Sequence, residues 1–63
     1  MPTVKVGEAI KLVEADGWRL VRQTGSHRHY QHPAKPGTVT IAGKPSSTLH
    51  PKTWANIRRT AGV

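Results

Sequence analysis

Cysteine is absent from this 63-residue chain, so no disulfide framework holds it together. A chain with no such requirement is at home in a reducing compartment, and cytoplasm is the default expectation. Acidic residues are nearly as scarce: three Asp plus Glu stand against ten Lys plus Arg, a formal charge of +7. No apolar run approaches the roughly 18 residues of a membrane span. The opening Met1-Pro2-Thr3-Val4-Lys5 lacks the apolar segment of a secretory signal. Repeats and low-complexity segments are missing too, so residues 1–63 read as one small, soluble, unprocessed domain. At this length folding buries only roughly 60% of the surface that the unfolded chain exposes, and the core must be thin.

So large a positive charge on so short a chain points to a polyanionic partner, with nucleic acid the first candidate. A membrane surface fits less well, because neither helical pattern is long, strongly apolar and lined with lysine. A purely solubilising role is the competing reading. The acids are also unevenly placed. Glu8, Glu14 and Asp16 are all of them, and from Gly17 to Val63 there is no negative side chain.

Apolar periodicity gives the elements. Val6, Ala9, Ile10 and Val13 recur at the spacing of one helical face and predict a helix over residues 5–16, with Thr3 as N-cap candidate and Asp16-Gly17 as its end. Gly7 weakens its first turn. From Trp18 to Gln23 the pattern alternates as in a half-buried strand, Trp18 and Leu20 on one face, Arg19, Val21 and Gln23 on the other. After the turn Thr24-Gly25-Ser26, a second strand over residues 27–32 places His27, His29 and Gln31 on one face and Arg28, Tyr30 and His32 on the opposite one. Pro33-Ala34-Lys35-Pro36-Gly37 breaks the pattern and leads into a third strand over residues 38–42. A polar loop, residues 43–50, precedes Pro51, well placed as the first residue of a helix striped by Trp54, Ile57 and Ala61. Arg58, Arg59 and Gly62 then mark its end. The expectation is an α+β domain, helix, three antiparallel strands, helix. Both helices cover one sheet face over a core of Ile10, Val13, Leu20, Tyr30, Ile41, Trp54 and Ile57, while the other face stays wet.

Residues 25–32 hold three of the four histidines. A Gly-Ser turn delivers His27 to a strand start, where backbone geometry holds the imidazole, and a fixed imidazole beside cations suits proton transfer at a phosphate. Plainer readings compete. His27 and His29 can be surface residues, His32 a turn residue, His50 a helix-start residue, and Gly25 only a turn glycine. Trp18 and Trp54 can stack on bases but at these spacings read as core. His27 and His29 could share a metal, yet two ligands with no nearby carboxylate or cysteine make a poor site, so no metal or other cofactor is expected.

Asp16-Gly17-Trp18, the run Val21-Arg22-Gln23-Thr24-Gly25-Ser26-His27, Tyr30 and His32-Pro33 form one ordered series. Val39-Thr40-Ile41, Gly43-Lys44-Pro45-Ser46, Leu49, Pro51 and Ile57-Arg58-Arg59-Thr60-Ala61-Gly62 continue it. In this order and spacing the chain resembles, over about its whole length, the HicA (YcfA-like) family of toxins, small bacterial mRNA interferases. The resemblance implies a fold similar to the double-stranded-RNA-binding domain, a HicB-type antitoxin as partner, and mRNA as target. It matches the family's functional histidine to His27 and its preceding glycine to Gly25.

RNA supports that chemistry because it carries its own nucleophile, the 2′-OH beside each phosphodiester. An imidazole with a pKa near ~6.5 can remove that proton near neutral pH and contribute ~10²–10⁴-fold, leaving a 2′,3′-cyclic phosphate and a 5′-OH without a metal. Arg22, Arg28 and Lys44 are the candidate phosphate contacts, with Gly25 and Ser26 at the turn and Lys35 and Lys52 further out. His29 is a possible auxiliary acid or substrate contact. Two rivals remain, a non-catalytic module of double-stranded-RNA-binding type and an adaptor that docks an acidic chain. The first is poorly matched, since Pro51-Lys52-Thr53 offers one lysine where such modules cluster several.

Overall fold

The structure, a computed structural model, describes residues 3–63. The chain runs β1 (Val4–Lys5), α1 (Val6–Ala15), β2 (Arg19–Thr24), β3 (His27–Gln31), β4 (Val39–Ala42), β5 (Thr48–Leu49) and α2 (Pro51–Ala61). Strands β2, β3 and β4 form an antiparallel sheet in that order, as the α+β reading expects. The short β1 and β5 pair separately, Val4 opposite Leu49 and Lys5 opposite Thr48. This second ladder lies partly in what the sequence presents as a polar loop, and it joins the entry of α1 to the entry of α2.

That ladder changes how α1 begins. Thr3 does not cap it. Lys5 is the N-cap, in extended conformation and with no side-chain bond. Two of the free N–H groups of the first turn are instead satisfied by loop carbonyls, Val6 donating to Ser47 at 2.8 Å and Gly7 to Pro45 at 3.0 Å. A Cβ at Gly7 would stand 3.2 Å from the Pro45 oxygen, so this glycine gives up helix propensity for close approach of the loop. The other end stops as expected. Gly17 donates to Glu14 and Trp18 to Val13, both at 3.0 Å, the paired bonds of a Schellman cap around a left-handed glycine (φ 108°).

Helix α2 starts on Pro51 with the His50 ring accepting from the Lys52 N–H at 3.2 Å, and it ends on Gly62 (φ 71°), whose N–H reaches the Arg58 carbonyl. His50 is thus a helix-start residue in the chemical sense. Ile57 and Ala61 are buried beneath this helix, with Trp54 half-buried beside them.

Val6, Ala9, Val13, Trp18, Tyr30, Val39, Ile41, Leu49, Ile57 and Ala61 make the core. Ile10 and Trp54, expected in it, sit partly buried at its margin, and Leu20 is 45% exposed. Leu20 does face inward, since it stands opposite the buried Tyr30. But β2 is an edge strand, and both helices pack on β4.

One corner ties the layers together. The buried Trp18 indole N–H donates to the Ala61 carbonyl at 3.2 Å, joining the α1–β2 turn to the last turn of α2. Lys35, from the β3–β4 loop, donates to the same carbonyl at 3.0 Å and pairs with the Asp16 carboxylate. His32 accepts the Ala34 N–H on Nδ1 at 2.9 Å, so its proton is on Nε2, which donates to the Asp16 carbonyl at 2.8 Å. Its ring also stands edge-on to Trp18, centroids 5.4 Å apart. A Cβ at Gly17 would come 2.8 Å from that Nε2, which leaves glycine as the residue that fits.

The hydrogen bond donated by Lys35 holds the Asp16 carboxyl below the usual carboxylate range. A depressed folded-state value means that the contribution of the pair is present above the unfolded-state value of ~3.9 and is lost as pH falls through the folded-state value. The melting temperature of the parent should therefore drop in acid, below about pH 4, more steeply than that of Asp16→Asn. Circular-dichroism melts of both proteins at low salt check this, and parallel declines would remove the pair from the account.

Candidate active site

The β2–β3 hairpin closes with Thr24 opposite His27 and two residues between them. Gly25 has φ +59° and Ser26 a negative φ, the signs of a type II′ turn, which suits the twist of paired strands. A Cβ at Gly25 would meet nothing within 4 Å, so glycine is needed here for the backbone angle and not for room. The turn is anchored twice: the Gln23 amide donates to the Gly25 carbonyl at 3.1 Å and the Gly43 N–H to the Ser26 carbonyl at 3.2 Å. His27, the first residue of β3, is thus fixed by strands on both sides, with Thr24 and Ala42 as neighbours.

Tyr30 faces the core, so His27 and His29 face away from it, on the wet side of the sheet. His27 is exposed. His29 is half-buried, its Nδ1 at 3.0 Å from the Thr40 hydroxyl on β4. Arg22 stands opposite His29 on β2. Strict alternation from Leu20 would have turned Arg22 inward. The register steps by one residue between Leu20 and Arg22, leaving Val21 unpaired as a β-bulge, and beyond it Arg22 and Thr24 face outward while Gln23 faces inward. Arg22, Thr24, Gly25, Ser26, His27 and His29 together line a shallow depression.

Other expected residues lie elsewhere. Arg28 is on the inner face, where its guanidinium donates to the Gly43 carbonyl at 3.1 Å and ties β3 to the end of β4. Lys44 is exposed in the loop that leaves β4 beside the turn but does not line the depression. Lys35 is engaged with Asp16 and Ala61, and Lys52 lies on α2 in the helical layer. Trp18 is core and Trp54 packs against it. Among the described residues no three His, Asp or Glu side chains converge as a metal cage.

Electrostatically the face is one-sided. The acids are on α1 and at its C-terminal end, and Asp16 is matched by Lys35. Nothing negative lines the depression, so it can hold an anion and offer it two imidazoles and a guanidinium. A family model described as the HicA toxin of bacterial toxin-antitoxin systems matches residues 6–63.

The chain belongs to the HicA toxin family. It is therefore a toxin-antitoxin toxin, and the match takes in every residue of the depression. No curated protein matches the sequence. Within this HicA protein, sequence reasoning missed Thr40, the partner of His29, and the bulge at Val21. Thr40 becomes visible only once the β3–β4 register is known, and nothing in the alternation announces the bulge.

The bulge leads to a deletion test. The hairpin turn pins Arg22 opposite His29, and Tyr30 pins Leu20, so Val21 is surplus to both pairs. Removing Val21 should leave a cooperatively folded protein with Arg22 still in the depression, whereas removing Arg22 should bring Val21 opposite His29 and weaken the hold of the depression on an anion. Thermal melts and titrations with a polyanion such as polyphosphate would reveal this for the two deletions, and loss of anion binding in the Val21 deletion would show that the bulge itself shapes the site.

Proposed function

We propose that this toxin is an endoribonuclease, an mRNA interferase that cuts single-stranded mRNA in the cytoplasm through His27 and so stops translation. The observation that carries the reading is an imidazole fixed at a hairpin corner and presented outward on a sheet face whose only charged side chains are cationic. Neutral His27 takes the proton of a 2′-OH, and the oxygen attacks the adjacent phosphorus. The charge that develops on the phosphate is stabilised by Arg22 from β2, with Lys44 approaching from its loop. The products are a 2′,3′-cyclic phosphate and a 5′-OH, and no step calls for a metal. The family also supports an antitoxin partner of HicB type. Excess Asp and Glu on its contacting surface would complement this face, speed association and cover His27.

His27→Ala should abolish cleavage, by roughly 10²-fold or more, and remove growth inhibition, because it deletes a proton-transfer group. His27 is exposed and contributes no core volume, so stability should change by only about ±0.5 kcal/mol. Cleavage assays on mixed single-stranded RNA and urea unfolding of both proteins give the answer. A folded variant that cuts at the parental rate moves the base elsewhere, and a parent that retains RNA without cutting it is a binding module instead.

RNA affinity should also fall steeply with salt, since contacts from Arg22 and Lys44 release counterions. Titrating His27→Ala with RNA at low and high ionic strength isolates binding from cutting. A flat response would sink the electrostatic argument.

A further inference from the structure

Of the four histidines, two are committed to the fold. The His32 ring is bonded at both nitrogens, to the Ala34 N–H and the Asp16 carbonyl, and the His50 ring caps α2. The remaining two, His27 and His29, share the depression with Arg22. As alternate residues of one strand their Cα atoms are about 7 Å apart, a span that lets one imidazole stand on each side of a single phosphodiester. They are held differently. His27 is exposed at the corner, whereas His29 is half-buried and steadied through Nδ1 by the Thr40 hydroxyl, which leaves Nε2 for a ligand.

We propose that His29 is the general acid of the reaction, protonating the departing 5′-oxygen, and that Thr40 is its positioning residue. This rests on the ribonuclease reading above. In the imidazolium form both ring nitrogens carry protons, so Nδ1–H donates to the Thr40 hydroxyl and Nε2–H faces the substrate. The O2′–H bond breaks and its proton passes to His27 as the O2′–P bond forms. The P–O5′ bond then breaks with its electron pair going to O5′, which takes the Nε2 proton of His29. One imidazole gains a proton as the other loses one, so the charge of the pair is conserved through the step.

Neighbouring groups are poorer acids. A guanidinium does not release its proton in proteins, which restricts Arg22 to charge stabilisation. The Tyr30 hydroxyl is on the buried face, and burial pushes its pKa up. Lys44 is a mobile-stemmed ammonium that does not line the depression. The charged and titratable groups facing His29 itself are Arg22 on β2 and His27 on its own strand, while β4 contributes Thr40.

A leaving group that needs no proton separates acid from base. The cleavage site is first mapped on ordinary RNA, and the same oligonucleotide is then made with sulfur in place of the scissile 5′-oxygen, so that a thiolate departs unaided. His29→Ala should cut the oxygen RNA roughly 10²-fold or more slowly than the parent, yet cut the sulfur RNA at close to the parental rate. His27→Ala should be slow on both. Thr40→Val removes the hydroxyl and keeps the side-chain shape; it should lower kcat on oxygen RNA with KM unchanged and recover on sulfur RNA, and it carries the test if His29→Ala does not fold. Equal deficits of His29→Ala on both substrates, or parental cutting of oxygen RNA by that variant, would overturn the assignment. A parent that cuts neither substrate would overturn the ribonuclease reading and this acid with it.

Discussion

Burial of Trp18 against the end of α2 is the constraint on which the rest depends. It is the largest fully buried side chain of a thin core, and its indole N–H donates to the Ala61 carbonyl. An unpaired buried N–H would cost about 1–3 kcal/mol, a large share of the stability of a domain this small, so α2 must end where that carbonyl can be reached. Lys35 reaches the same oxygen and brings the β3–β4 loop with it, while His32 binds the α1–β2 turn from the other side. Two connections and the end of α2, remote from one another in sequence, therefore meet at one corner, and the hairpin that carries the depression projects from this fixed base.

That arrangement divides the sheet into two faces with different duties. Inward-facing Tyr30, Val39 and Ile41 are covered by helices, and Arg28 at the end of the same face is spent on the Gly43 carbonyl. On the outward side Arg22, Thr24 and His27 are exposed, and His29 is half-buried beside Thr40. Side chains on the wet face can be polar because they need no partner for folding, and they are still held in place because the strands beneath them are packed on the other side. Gly43 serves both, accepting from Arg28 below and donating to the Ser26 carbonyl of the turn above.

Much of this was legible because it is periodic. The helical stripes and their glycine ends, the three strands, and the placement of His27 and His29 opposite Tyr30 follow from spacings of 3.6 and 2.0. The same period already separates Arg28 from the histidines, which is why the structure does not bring it into the depression. What escaped depends on pairing. The bulge at Val21 reverses the phase of β2 and turns Arg22 outward, but alternation assumes an unbroken ladder. The β1–β5 pair is two residues a side, too short for any propensity to register, and so the loop carbonyls that start α1 in place of Thr3 were hidden as well. Leu20 faces inward as its spacing says, yet remains exposed because no local pattern tells how far a helical layer extends over an edge strand.

The uneven distribution of charge has a consequence for both proposed ligands. All acids belong to α1 and its end, so cations on the wet face are not neutralised from within, and at physiological salt neighbours closer than the Debye length of about 8 Å repel one another. Folding holds that repulsion in place, and any polyanion that covers the face relieves it. A ligand that binds only the folded state stabilises it in proportion to the logarithm of its concentration over its dissociation constant. RNA and an acidic antitoxin surface would gain from the same charges, and each would leave the other without room. Competition between substrate and inhibitor would then need no conformational switch, because one exposed sheet face would serve both.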